Sequence, residues 1–184
     1  MPLAELHCER RPQEAGGWLL RLALDLKMRK MARFHHVLKL IPAELSGSPR
    51  LLAQVASLEL RFDRTESGMR RLYAMFRRNL DDADAASAYF IAIVTGPADL
   101  PFMEEALTEV RAGSAVTLKN DLGNTVTLLV DPEGLEDLPV REGFIAPSSD
   151  TSRTLLGKAV GQSITLPGSF GTESHFVEIG RAHV

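Results

Sequence analysis

Apolar residues recur at helical spacing through the first half of the chain. Over 18–41 they fall at Leu22, Leu26, Met31, Phe34, Leu38 and Ile41, which predicts helix. Pro42 and Ser46-Gly47-Ser48-Pro49 interrupt it. A second helical stretch covers 51–62, pauses at Asp63-Arg64-Thr65-Glu66-Ser67-Gly68 and resumes over 69–79. There Leu72, Met75, Phe76 and Leu80 share a face. Asp81-Asp82-Ala83-Asp84 suits the positive end of a helix that runs to Val94 and stops at Gly96-Pro97. A fourth segment is predicted over 100–112, with Pro101 in its first turn.

These helices carry a repeat. Leu24-Asp25-Leu26-Lys27-Met28-Arg29-Lys30 returns as Leu58-Glu59-Leu60-Arg61-Phe62-Asp63-Arg64, an offset of 34 residues, and only Arg29/Asp63 differ in type. A period near 34 is that of tetratricopeptide-type helix hairpins, which the segment weakly resembles. Two and a half repeats are few for an array that buries its faces only by stacking. Trp18, Leu19 and Leu22 are therefore expected to pair in a homodimer, or the chain to end a longer repeat protein.

The second half alternates with period two. Val116-Thr117-Leu118-Lys119 and Thr125-Val126-Thr127-Leu128-Leu129-Val130 flank turn residues Asp121-Leu122-Gly123-Asn124, which predicts a hairpin. Further strands are predicted at Gly143-Phe144-Ile145-Ala146, Gln162-Ser163-Ile164-Thr165-Leu166 and Ser174-His175-Phe176-Val177-Glu178-Ile179. Ser148-Ser149-Asp150-Thr151 offers caps for a short helix that Gly157 stops. The predicted fold class is α+β: an all-helical hairpin-repeat half, then a small antiparallel β domain with one short helix. The expected domains are a flexible segment over 1–15, helical hairpins over 16–112 and the β domain over 113–180.

Composition adds an asymmetry. Of 184 residues, 24% are charged and 45% hydrophobic, which excludes collagen-like, disulfide-rich and fully disordered chains. The net charge of -3 belongs wholly to residues 111–184, which also hold nine of the 14 glycines. The single cysteine, Cys8, fits a reducing cytoplasm. No apolar run approaches the ~18 residues of a membrane span, so no membrane partner is expected.

The β half carries a family resemblance. Ser149, Arg153, Leu155, Leu156, Gly157, Lys158, Val160, Gly161, Pro167, Gly168, Phe176 and Ile179 form a pattern of helix cap, helix, Leu-Leu-Gly-Lys, Val-Gly, Pro-Gly turn and strand. It resembles the C-terminal, FKBP-like domain of the GreA/GreB transcription elongation factors and the related Rnk regulator, over about 113–180. The resemblance implies a bacterial cytoplasmic protein that docks on RNA polymerase, near nucleic acid at the polymerase channel. The contact would use the loop before the short helix, here Pro147-Ser148-Ser149-Asp150. Ser148, Ser149, Asp150, Arg153 and Lys158 are the implied polymerase-binding residues. Asp150 stands in place of the family's proline, and Gln162 in place of a frequent aspartate. Transcript-cleaving members hold Mg²⁺ on a pair of tip carboxylates. The loop over 42–49 contains only Glu44, so no transcript cleavage, catalytic residue, metal or cofactor is expected. The expected function is a non-catalytic, DNA-associated regulator of transcription elongation. The alternative is a helical-repeat adaptor whose β domain is only a structural cap.

Other chemistry is thin. His35 and His36 are adjacent on a helix and point about 100° apart, so they cannot share a metal; one is expected buried and one exposed. Cys8 and His175 lack identifiable partners. Phe144, Phe170 and Phe176 are too few to line a prolyl isomerase pocket. Arg70-Arg71 and Arg77-Arg78 sit seven apart, with Arg64 near the same stripe, and form a candidate basic contact face. Lys27, Arg29, Lys30 and Arg33 form a second cluster. The bland alternative for both is a solvated face balanced by nearby carboxylates.

Overall fold

A computed structural model describes residues 2–96, 107–120, 122–135, 137–166 and 174–180. The chain divides into two compact units, Met1–Leu100 and Pro101–Val184. The architecture is α+β, with helices first and strands later.

The first unit contains α1 (Pro2–Arg10), α2 (Ala15–Lys27), α3 (Met31–Leu40), α4 (Pro49–Arg61), α5 (Thr65–Arg78) and α6 (Ala83–Val94). The bounds keep the 34-residue spacing: α2, α4 and α6 open at Ala15, Pro49 and Ala83, and α3 and α5 at Met31 and Thr65. The turns repeat bond for bond. Lys30 N donates to Asp25 O at 2.9 Å, and Arg64 N to Glu59 O at 2.8 Å. Phe34 N donates to Lys30 O and Gly68 N to Arg64 O, both at 2.9 Å. Arg29 and Asp63, the unlike pair of the sequence repeat, have φ of 55° and 60°. What recurs at that position is a left-handed backbone that reverses the chain, which tolerates different side chains. It also corrects the reading of 18–41 as one helical run, which breaks at 28–30.

α1 belongs to the same register. It closes at Arg10, 68 residues before α5 closes at Arg78. Glu14 N donates to Arg11 O at 3.1 Å, as Asp82 N does to Asn79 O at 3.0 Å. Residues 2–10 are thus helix, where a flexible segment was expected. Ala4 and Cys8 are buried, and Glu5 reaches Arg33 of α3 and, at 3.8 Å, Arg21 of α2. Few of α1's residues are strongly apolar, so it left no hydrophobic stripe to read. Its docking overturns the expected dimer face. Trp18 and Leu22 are buried inside the chain, in one cluster with Cys8, Phe34, Val37 and Leu38, and Leu19 packs against it.

α2 packs on α1, α3 and α4, while α4 packs on α5 and α6. The α4–α5 approach depends on Gly68. A Cβ there would lie 2.9 Å from both Ala56 O and Leu60 Cγ, and a helix backbone carbonyl cannot give way cheaply. α6 differs from its repeat equivalents. Phe90 is 66% exposed, whereas Ala56 and Leu22, one and two repeats earlier in the same position, are fully buried.

The second unit contains β1 (Ala115–Asn120), β2 (Thr125–Val130), β3 (Phe144–Ile145), α7 (Asp150–Leu155), β4 (Ser163–Thr165) and β5 (Ser174–Gly180). The sheet order is β3-β2-β1-β5-β4. β1 pairs antiparallel with β2 in the register Thr117↔Thr127, and β5 pairs antiparallel with β1 and β4. The two-residue β3 runs parallel to β2, so the sheet is mixed where an antiparallel one was expected. Alternation explains the core. Val116, Leu118, Leu128 and Val130 point inward with Ile164, Leu166 and Leu155 of α7, while Thr117 and Thr127 meet on the other face at 3.1 Å.

The expected helix over 100–112 falls partly outside the described residues. Those from 107 to 112 are not helical. Val110 is instead buried in the β core. Its N–H donates to Lys158 O and its carbonyl accepts from Gly157 N, both at 2.8 Å. Pro167 and Gly168 lie outside the described residues, as does Phe170.

Candidate functional site

The loop before α7 is held by a relay of three serine and alanine groups. Ser149 is the N-cap: its Oγ accepts from Ser152 N at 3.1 Å, satisfying a helix-end donor. The Ser149 hydroxyl donates to Ser152 Oγ at 3.0 Å, and the Ser152 hydroxyl donates to Ala146 O at 2.6 Å. Ala146 O also accepts Ser149 N at 3.0 Å. Ser152 is fully buried, so this relay fixes the loop from beneath. Sequence reasoning did not single out Ser152. Its signal was a serine three places after a cap serine, where the two side chains meet.

The loop's other side chains face outward. Ser148, Asp150 and Arg153 are exposed and Ser149 is half-buried. Arg153 Nη1 donates to Asp150 Oδ1 at 2.9 Å, and Arg153 N to Ser149 O at 3.0 Å. The loop therefore presents a hydroxyl, a carboxylate and a guanidinium side by side, with little net charge. Such a surface suits directional hydrogen bonding to a protein partner more than attraction to a polyanion.

At the end of α7, Leu155 is fully buried, and beyond it Gly157 takes φ 74°, the left-handed conformation that ends helices and that glycine adopts without a Cβ penalty. Lys158 is half-buried and its backbone is tied to Val110. Gln162 Oε1 accepts from Ala159 N at 2.9 Å and closes the turn around Gly161. A side-chain acceptor at that position is thus structural. The structure brings Ser149, Asp150 and Arg153 together.

The basic stripe on α5 is not a surface. Arg71 and Arg77 are buried, Arg64 and Arg70 half-buried, and only Arg78 is exposed. Arg71 Nε and Nη2 donate to the two Glu59 carboxylate oxygens at 2.9 and 3.0 Å, while Nη1 and Nη2 reach Ala43 O and Pro42 O at 3.1 and 2.9 Å. Arg64 donates to Ser67 Oγ at 2.8 Å, and Arg78 lies 3.4 Å from Glu44. Residues seven apart do not share an environment here: Arg71 is buried where Arg78 is exposed, and Arg77 is buried where Arg70 is half-buried.

Three further candidates take structural places. His35 and His36 are both exposed, where one was expected buried, and the His35 ring lies edge-on to Phe34 and Phe62. Cys8 is buried against Arg21. Burial raises its thiol pKa and the Arg21 guanidinium offsets part of the rise, which leaves a packing residue. In the acidic 81–84 cluster the Asp82 carboxylate caps α6 by accepting Asp84 N at 2.8 Å and Ala85 N at 3.3 Å. Among the described residues no group of three His, Cys, Asp or Glu could hold a metal ion. No described helix is long and apolar enough to cross a membrane.

No protein-family model and no curated protein matches the chain. Solved structures do. GreA factor homolog 1 of Thermus thermophilus is 21% identical over 70% of this chain and 94% of its own, with a TM-score of 0.34. Gfh1 of Thermus aquaticus is 17% identical over 92% of this chain and 95% of its own, also at 0.34. The prokaryotic transcription elongation factor GreA/GreB from Nitrosomonas europaea is 18% identical over 61% and 89%, at 0.35.

Proposed function

We propose that this chain is a non-catalytic, Gre-like regulator of transcription elongation that binds bacterial RNA polymerase through the loop before α7. The observation that carries the reading is local. The residues of the sequence resemblance, Ser149 and Leu155 to Gly161, form one cap, helix and turn anchored by Ser152, Leu155 and Val110. That anchoring leaves Ser148, Asp150 and Arg153 outward as the contact surface, with Lys158 beside the turn. Asp150, in place of the family's proline, pairs with Arg153 at the surface, while the buried Ser152 relay holds the loop.

The test is capture of core RNA polymerase by the full chain. We expect retention at micromolar protein and loss of at least tenfold in affinity for Ser148→Glu with Arg153→Glu, whose side chains are exposed and outside the buried relay. Undiminished capture by that variant, or none by the parent, overturns the reading. A second reading is favoured by the 34-residue register of α2 to α6: a helical-repeat adaptor in which the β unit is only a cap. It predicts a partner retained by residues of the first unit alone.

A further inference from the structure

The α2–α3 turn concentrates positive charge. Between Leu26 and Ala43 the sequence has no acidic residue and holds Lys27, Arg29, Lys30, Arg33 and Lys39. Arg33 is turned inward, 3.3 Å from the buried Asp25 and paired with Glu5. Lys27, Arg29, Lys30 and Lys39 are exposed. Arg29 sits in the left-handed turn, φ 55°, and is exposed. Met28 and Met31 lie between the cations, 48% and 40% exposed.

The repeat extends this surface. Lys27, Arg61 and Thr95 occupy one position of three successive repeats, at the ends of α2, α4 and α6, which pack in that order. Neighbouring helix axes lie roughly 10 Å apart, so equivalent residues form a row along one edge. Arg61 and Thr95 also line a cleft of about 220 Å³ between α4 and α6, with Ser57 and Gly96. Asp63 and Glu66 offset the charge at the second turn, so the row is most positive at Lys27–Lys30.

We infer that this edge binds the phosphate backbone of single-stranded nucleic acid, with Lys27, Arg29, Lys30 and Arg61 on phosphates and the methionines against bases. The Lys27–Lys30 cluster, continued by Arg61 one repeat on, matches a polymer with a charge at every unit, and the polarizable methionine thioethers adapt to flat apolar faces of any sequence. The binding is sequence-independent and independent of the polymerase-contact reading, which rests on the other unit.

The test is fluorescence anisotropy of the full chain with a labelled 20-nucleotide RNA and its DNA counterpart. A Kd of roughly 10⁻⁵ M is expected at low salt, falling off steeply as salt rises. Changing Lys27→Glu, Arg29→Glu and Lys30→Glu together should weaken binding at least tenfold. The neutral set Lys27→Gln, Arg29→Asn and Lys30→Gln, in which asparagine accepts the left-handed turn, should reduce the log–log salt slope by about 2, from three single-strand contacts. An equal charge change by Arg111→Glu, Lys119→Glu and Arg141→Glu should cost far less. No binding at low salt, equal loss in that control, or equal affinity for polyglutamate overturns the inference.

Discussion

Arg71 and Glu59 form a two-point ion pair inside the helical unit, with Nε and Nη2 at 2.9 and 3.0 Å from the carboxylate and side chains only 5% and 1% exposed. The same guanidinium holds the carbonyls of Pro42 and Ala43 and so fixes the connection from α3 to α4. Removing one partner leaves a buried charge alone. Arg71→Met or Glu59→Gln should therefore cost about 3–5 kcal/mol, and the double replacement by apolar residues less than the sum. Trp18 is the sole tryptophan and lies in this unit, so its fluorescence during urea unfolding reads the effect.

Arg29 and Asp63 both carry a left-handed backbone, which costs an L-residue roughly 1–2 kcal/mol and aspartate less than most. Arg29→Gly should stabilise by up to about 1 kcal/mol, and Asp63→Gly by less. The same fluorescence assay would show the order reversed, or both changes destabilising, if the turns were not built this way.

In the β unit, Ser149→Ala should cost about 1 kcal/mol through loss of the cap. Ser152→Ala should cost a similar amount, because Ala146 O then loses a buried donor. The pair share a bond, so the double variant should lose less than the sum. Hydrogen exchange at the α7 amides measures all three.

Tyr89 stacks on Phe76 at 4.9 Å between ring centroids, and burial pushes its phenol up to about 12 from 10.0. The folded-state pKa lies above the unfolded one. The neutral phenol's advantage is therefore fully present below pH 10 and is lost as pH rises toward 12. Tyr89→Phe should flatten the alkaline limb of the stability curve. It should also remove one late-ionising phenol from a titration followed at the phenolate absorbance.

Much of this was readable along the chain. The 34-residue offset was visible in Leu24–Lys30 and Leu58–Arg64 because the same hairpin recurs and demands like residues at like places. The hairpin of β1 and β2 was visible because alternation reports a sheet with one buried face. The cap at Ser149 was visible because helix ends need side-chain acceptors. These are local demands, met by residues a few places apart.

Tertiary packing decided the rest. α1 showed no stripe, yet it folds onto Trp18 and Leu22 because two small buried residues and the Glu5 ion pairs suffice where a ready apolar face exists. Arg71 and Arg77 read as surface because charge implies water, but a carboxylate and two backbone carbonyls from 12 to 29 residues away draw Arg71 inside. Val110 read as helix and became part of a β core, since its backbone finds partners at 157–158. Sequence by itself determined the period and those elements whose apolar pattern repeats locally. Which faces met, and which charges stayed in water, depended on partners distant in the chain, whose pairing has no local periodicity to announce it.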